Sequence, residues 1–267
     1  MTSASSPAIW AEGHPYERYV GRWSRRMAEP FLRWLSAPAE QVWLDVGCGT
    51  GALASAIVTC SAPRAVFGVE PSEGFLALAR ESLHDKVTLL EGDAARIPLP
   101  DASVDIAVSA LVLNFLPDPV KGLAEICRTV RPGGSVGAYV WDYAQGMELM
   151  RYFWDAAVSL NLNARALDEG TRFLLCRPPA LTAAFEQAGL AAVEVVPLTI
   201  ATHFPNFDDY WMPFLGGQGP APAYACSLND AAREELRGRL RERLPGNADG
   251  SIGLTARAWA VKGVRGM

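Results

Sequence analysis

Five cysteines in 267 residues, at positions 48, 60, 127, 176 and 226, are odd in number and form neither a Cys-x-x-Cys pair nor a Cys/His cluster. That reads as a reduced, intracellular chain without structural zinc, and no metal site is expected. Positive charge is also short: 24 Lys and Arg against 29 Asp and Glu leave a net charge of -5. A protein that grips nucleic-acid phosphates needs a basic face to displace counterions, so this balance argues against that partner. No apolar run approaches the roughly 20 residues of a membrane span, and the N-terminus lacks the basic-then-apolar order of a signal peptide. A cytoplasmic chain with no nucleic-acid or membrane partner is expected. There is no internal repeat, and no low-complexity tract beyond the first several residues.

What is present is an alternation. Short apolar β-rich runs at 42–46, 65–70, 87–92, 104–110 and 135–141 are separated by helical patterns at 52–59, 73–83 and 120–130. That order marks a parallel sheet covered on both faces. The run Arg131-Pro132-Gly133-Gly134 is read as the end of the last of these helices. A further helix at 178–190 leads into a β-rich run at 191–204, and Ile252, Leu254, Ala256, Ala258 and Ala260 alternate at period two in a last strand. The expectation is a doubly wound, Rossmann-like, seven-stranded, mostly parallel sheet with helices on both faces, its last strand antiparallel, plus a helical lid or insert. Expected boundaries are an N-terminal helical lid at 1–41, a core at 42–204, an inserted acceptor-side lid at 205–250 and the last core strand at 251–267. Within the insert, Ala232, Leu236, Leu240 and Leu244 form a stripe at i+4 spacing, with Ser227 and Asp230 placed as a capping box. The helical face at 16–35 contains Pro30, which is expected to kink or divide it.

The stretch Val42-Trp-Leu-Asp-Val-Gly-Cys-Gly-Thr-Gly-Ala52 runs from a strand into three alternating glycines and then a helix. Glycines at that turn let a ligand approach the main chain and the helix N-terminus at the carboxyl edge of the sheet. The turn alone suits two cofactor classes, because Gly47-x-Gly49-x-x-Ala52 also matches the looser dinucleotide fingerprint with Glu70 placed to hold a ribose. Asp45 distinguishes them: its carboxylate opposes a pyrophosphate and suits a ligand bearing an ammonium group.

Four ordered motifs, LDVGCGTG, GVEPS, EGDAARIPLPDASVDIAVS and RTVRPGGSVGAYVW, closely resemble class I S-adenosylmethionine-dependent methyltransferases. The resemblance is to the type 11 domain of the ubiquinone/menaquinone-biosynthesis-like group. It implies that Asp45 and the main chain of Gly47 and Gly49 face the methionine end of S-adenosyl-L-methionine, with Cys48 and Pro71 in the same binding set. Glu70 would accept from both ribose hydroxyls; this family often has Asp there, so Glu must sit slightly further back. Asp93 would accept from the adenine amino group while the Ala94 amide donates to the ring, and Ser109 would lay its backbone beside the methionine portion. Tyr16 and Arg22 are placed to meet the cofactor's carboxylate.

Methyl transfer from a sulfonium is an in-line displacement that chiefly requires alignment and exclusion of water. The acceptor side is expected in the N-terminal aromatic helix, the stretch after strand five and the insert with Phe204, Tyr210, Trp211 and Phe214, forming an apolar pocket for a small-molecule acceptor. Strand four ends in Ser109-Ala-Leu-Val-Leu-Asn-Phe-Leu-Pro117, without the Asn/Asp-Pro-Pro-aromatic arrangement of methyltransferases acting on adenine or glutamine amino groups. His203 and His14 are the candidate imidazole bases. A monomer or homodimer is expected. Two other readings stay open at this point: a non-catalytic S-adenosylmethionine-binding regulatory module, and an NAD-dependent oxidoreductase.

Overall fold

The computed structural model describes residues 17–217 and 219–267, so His14 and Tyr16 of the expected site lie outside the described residues. Seven strands form one mixed sheet in the order β3-β2-β1-β4-β5-β7-β6, mostly parallel with one antiparallel strand and flanked by helices. They are β1 (Val42–Val46), β2 (Ala65–Glu70), β3 (Thr88–Glu91), β4 (Val104–Ala110), β5 (Val130–Trp141), β6 (Leu190–Phe204) and β7 (Ile252–Arg265). Every residue of β1 is buried, as a central strand covered on both faces requires. It pairs in parallel with β2 and β4, which sets Asp45 beside Gly68 on one side and Val108 on the other.

The chain divides into two compact units. The sheet unit comprises Ser24–Val140, Leu175–Leu198 and Trp259–Met267; the helical unit comprises, among the described residues, 17–23, Trp141–Leu174 and Thr199–Ala258. These divisions fall elsewhere than at the expected positions 41, 204 and 250. The reason at the N-terminal end is packing within the sheet unit. Phe31 is fully buried with its ring 5.0 Å from that of Tyr139 on β5, and Gly137 leaves room for Phe31 and Leu35. Helix Arg22–Leu35 is also not divided at Pro30. An interior proline costs roughly 3 kcal/mol, and burial of Met27, Phe31 and Leu32 at about 1.5–3 kcal/mol each outweighs it.

Two other local expectations are corrected. Residues 131–134 do not lie between helix and strand: helix Pro119–Thr129 passes directly into β5, and those residues form an irregularity between the pairs Val104↔Val130 and Ile106↔Ser135. A side chain at Gly134 would meet the Asp105 carbonyl at 2.5 Å, so the close strand approach depends on glycine there. The charged helix Asp230–Arg243 is capped by Asn229, whose side chain accepts from the Ala232 amide at 2.9 Å. Ser227 instead ends the preceding helix, donating to the Tyr224 carbonyl. Leu236 and Leu240 of the stripe are buried as expected.

Candidate active site

The site is built within the sheet unit, where β1, β2 and β4 end together at the carboxyl edge. The loop after β1 is held by the end of β2: the Gly47 and Cys48 amides both donate to the Val69 carbonyl, at 2.7 and 3.1 Å. The three glycines have different reasons. Gly47 and Gly51, at φ 72° and 88°, are pressed by neighbours: a Cβ would meet Val112 at 2.4 Å at the first and Leu83 at 2.7 Å at the second. Gly49 also has a left-handed backbone, φ 54°, but a Cβ there would meet nothing within 4 Å. Two glycines are bare for packing and one faces open space.

Asp45 projects from the end of β1, fully buried, and neither carboxylate oxygen has a hydrogen-bond partner among the described residues. Burial raises its pKa from the ordinary carboxylate value to about 7; the Ala54 amide, in the first turn of the following helix, opposes the rise and the Glu70 carboxylate adds to it. An unpartnered buried polar group costs about 1–3 kcal/mol, more when charged, so this position is built for a partner from outside the chain. Glu70, at the end of β2, is oriented by two amides, Gly49 at 3.1 Å and Ser72 at 3.0 Å, while burial holds its pKa above the ordinary value. Each amide uses one lone pair of a separate oxygen, which leaves acceptor capacity on both. The Cys48 thiol is buried, and loss of solvent pushes its pKa far up, with the Asp45 and Glu70 charges adding; it is not a thiolate nucleophile.

The remaining expected residues fall out as follows. Pro71 lies between Glu70 and the Ser72 that caps helix Glu73–Leu83. Asp93 is exposed and one of its oxygens accepts from the Ala95 and Arg96 amides, at 2.8 and 3.0 Å, while Ala94 is buried. The buried Ser109 hydroxyl donates to the Val46 carbonyl at 2.9 Å, tying the end of β4 to that of β1. Arg22 belongs to the helical unit, where it forks onto Asp209 at 2.9 and 3.1 Å and its guanidinium lies 4.5 Å from the Trp23 ring and 4.9 Å from that of Phe204. Its charge is therefore engaged by Asp209 rather than by the loop residues. His203 is exposed on β6, near Asp249, whose carboxyl is held low first by Ser251 and also by that imidazole.

Two features escaped the sequence reading. Leu111, just beyond β4, takes a left-handed backbone at φ 62°, a conformation that costs a non-glycine residue about 1–2 kcal/mol and collects at functional sites. Asn114, three residues on, has both amide atoms buried with no partner among the described residues. The only sequence signal for either is one polar residue inside an apolar run.

A family profile described as a methyltransferase domain matches residues 44–137. An uncharacterized methyltransferase of Geobacillus sp. (strain WCH70) is 31% identical over 135 residues, which span 48% of this chain and 62% of that protein. The chain thus matches less than two thirds of that relative's length. Among solved structures, the YcgJ protein of Bacillus subtilis superposes with a TM-score of 0.59 at 17% identity, covering 92% of this chain and 99% of that one. Phosphoethanolamine N-methyltransferase 2 of Haemonchus contortus, solved with phosphomonomethylethanolamine and S-adenosylhomocysteine, gives 0.58 at 17% identity over 95% of this chain and 58% of that one. These likenesses show the fold. The glycine loop and the acids at the ends of β1 and β2 lie inside the stretch 44–137 that matches the methyltransferase-domain profile, and that match supports a class I S-adenosylmethionine-dependent methyltransferase.

Proposed function

We propose that the chain transfers a methyl group from S-adenosyl-L-methionine to a small-molecule acceptor. The observation that carries this reading is the buried Asp45 carboxylate, both oxygens of which lack a hydrogen-bond partner among the described residues, at the start of the loop whose Gly49 borders open space. When bound, the cofactor supplies an activated methyl group on a sulfonium. Asp45 would hold its ammonium, and ionisation of Asp45 would then no longer be opposed by burial alone. Glu70, already aimed by the Gly49 and Ser72 amides, would accept from the ribose hydroxyls with its remaining lone pairs. Gly49 keeps the main chain clear for close approach. Asn114 adds a donor and an acceptor after β4 for polar groups of cofactor or acceptor. Asp45 disfavours a dinucleotide, because a second negative charge would meet a carboxylate already strained by desolvation.

The test is a thermal-shift comparison. S-adenosylmethionine and its demethylated product, S-adenosylhomocysteine, should raise the melting temperature at concentrations where NAD does not. A larger shift with NAD would remove the methyltransferase reading.

A further inference from the structure

The methionine end of the cofactor carries an ammonium and a carboxylate on one carbon, and Asp45 can answer only the ammonium. Arg22, expected to meet the carboxylate, is held by Asp209 in the helical unit. Further along the same helix, inside the sheet unit, the Arg25 guanidinium donates to the Thr50 hydroxyl at 3.3 Å. Thr50 follows Gly49, where a Cβ would meet nothing within 4 Å, and precedes Gly51, the residue that opens helix Ala52–Cys60. Arg25 is an exposed residue, so a ligand at the glycine loop can reach its side chain.

The loop residue that Arg25 meets is itself held in place. The Thr50 carbonyl accepts from the Ser82 hydroxyl at 3.3 Å, and a Cβ on the neighbouring Gly51 would strike Leu83, so the end of helix Glu73–Leu83 packs against this part of the loop. A hydroxyl is a neutral acceptor: it locates the guanidinium without neutralising it. Helix Ala52–Cys60 contributes charge of the same sign. Its cap residue Gly51 makes no side-chain bond and its first turn contains no acid, so the positive end of that helix is uncompensated by its own sequence. Asp45, at the start of the same loop, has both carboxylate oxygens without a hydrogen-bond partner among the described residues. A buried carboxylate and a located guanidinium on one loop that borders open space match the two opposite charges of an amino-acid group.

We infer that Arg25 receives the carboxylate of the cofactor, so that Asp45 and Arg25 together make the site select the zwitterionic methionine end rather than the nucleoside alone. This rests on the methyltransferase reading for the identity of the ligand, and on the Arg25–Thr50 contact for the residue. The probes are S-adenosylhomocysteine and its decarboxylated analogue, which keeps the ammonium and loses only the carboxylate, titrated calorimetrically at pH 8 into the full chain. The unaltered chain should bind S-adenosylhomocysteine about tenfold or more tighter than the analogue. Arg25→Gln should weaken S-adenosylhomocysteine by a similar factor and leave the analogue within about twofold, because the analogue has nothing for Arg25 to hold. Arg25→Lys, which keeps the charge but loses the planar fork, should recover part of the difference, and it serves as the second variant if Arg25→Gln does not fold. Equal weakening of both ligands would make Arg25 a brace for the loop and overturn the inference, as would unchanged affinity for S-adenosylhomocysteine in Arg25→Gln or equal binding of the two ligands by the unaltered chain. Tight binding of S-adenosylhomocysteine with any of these results leaves the methyltransferase reading standing and removes only the role of Arg25. Binding of neither ligand sinks that reading and this inference with it.

Discussion

Asp45 couples the site to pH in two opposite ways. Its folded-state pKa, about 7, lies above the 3.8 of the unfolded chain. The folded state therefore holds more protons between those values, and stability falls as pH rises from about 4 to about 7, then levels. Asp45→Asn should remove this share of the slope in denaturant titrations, and an unchanged slope would mean that Asp45 is solvated. Cofactor affinity runs the other way. An ammonium needs the ionised carboxylate, so affinity for S-adenosylhomocysteine should fall as pH drops below about 7, and calorimetry between pH 5.5 and 8 reads it. Glu70 is a plainer case. Its replacement by Ala should weaken cofactor binding by roughly 1.5–3 kcal/mol, the scale for lost hydrogen bonds to a charged acceptor, without unfolding the chain. Unchanged affinity in the same titration would place the ribose elsewhere.

At the scale of the element, the glycine loop makes a prediction that no inspection of the motif could make. Gly47→Ala forces a Cβ to within 2.4 Å of Val112 and should lower stability, with cofactor binding lost only as a consequence. Gly49→Ala carries the left-handed backbone cost of about 1 kcal/mol but no clash. It should fold and yet bind S-adenosylhomocysteine at least tenfold more weakly, because its methyl group enters the space a ligand needs. Melting temperature and affinity, measured together, separate the two variants; the same pattern in both would mean the glycines serve only the turn. Elements also explain where local reading went astray. Pro30 and the Arg131-Pro132-Gly133-Gly134 run both look like breakers, and their intrinsic preferences are real. One is overridden by a buried helix face and the other is absorbed into a strand irregularity, and both outcomes depend on partners distant in sequence.

For the molecule as a whole, the packing of Phe31 on Tyr139 changes what the N-terminal helix is expected to do. A lid would gain protection from hydrogen exchange on cofactor binding across its whole length. Residues 24–35 instead belong to the sheet unit, with Met27 and Phe31 fully buried, so they should be strongly protected with or without S-adenosylhomocysteine. Protection gained on binding should concentrate in 47–51 and after β4. A cofactor-dependent slowing across 24–35 would restore the lid.

The order of strands and helices, the place of the glycine loop and the acids at the ends of β1 and β2 were all legible in the sequence. They are set by local periodicity and by motifs a few residues long, in which strand, turn and helix signals agree. Tertiary structure alone decided which of those acids lacks a partner. Asp45, Glu70 and Asp93 read alike as strand-end acids, but Asp93 is exposed and caps a turn, Glu70 is steadied by two amides, and Asp45 is orphaned. It also decided that Arg22 is engaged by Asp209, 187 residues away. The physical reason is that backbone conformation follows largely from neighbours along the chain, whereas burial and hydrogen-bond partnership are properties of the space that distant segments enclose.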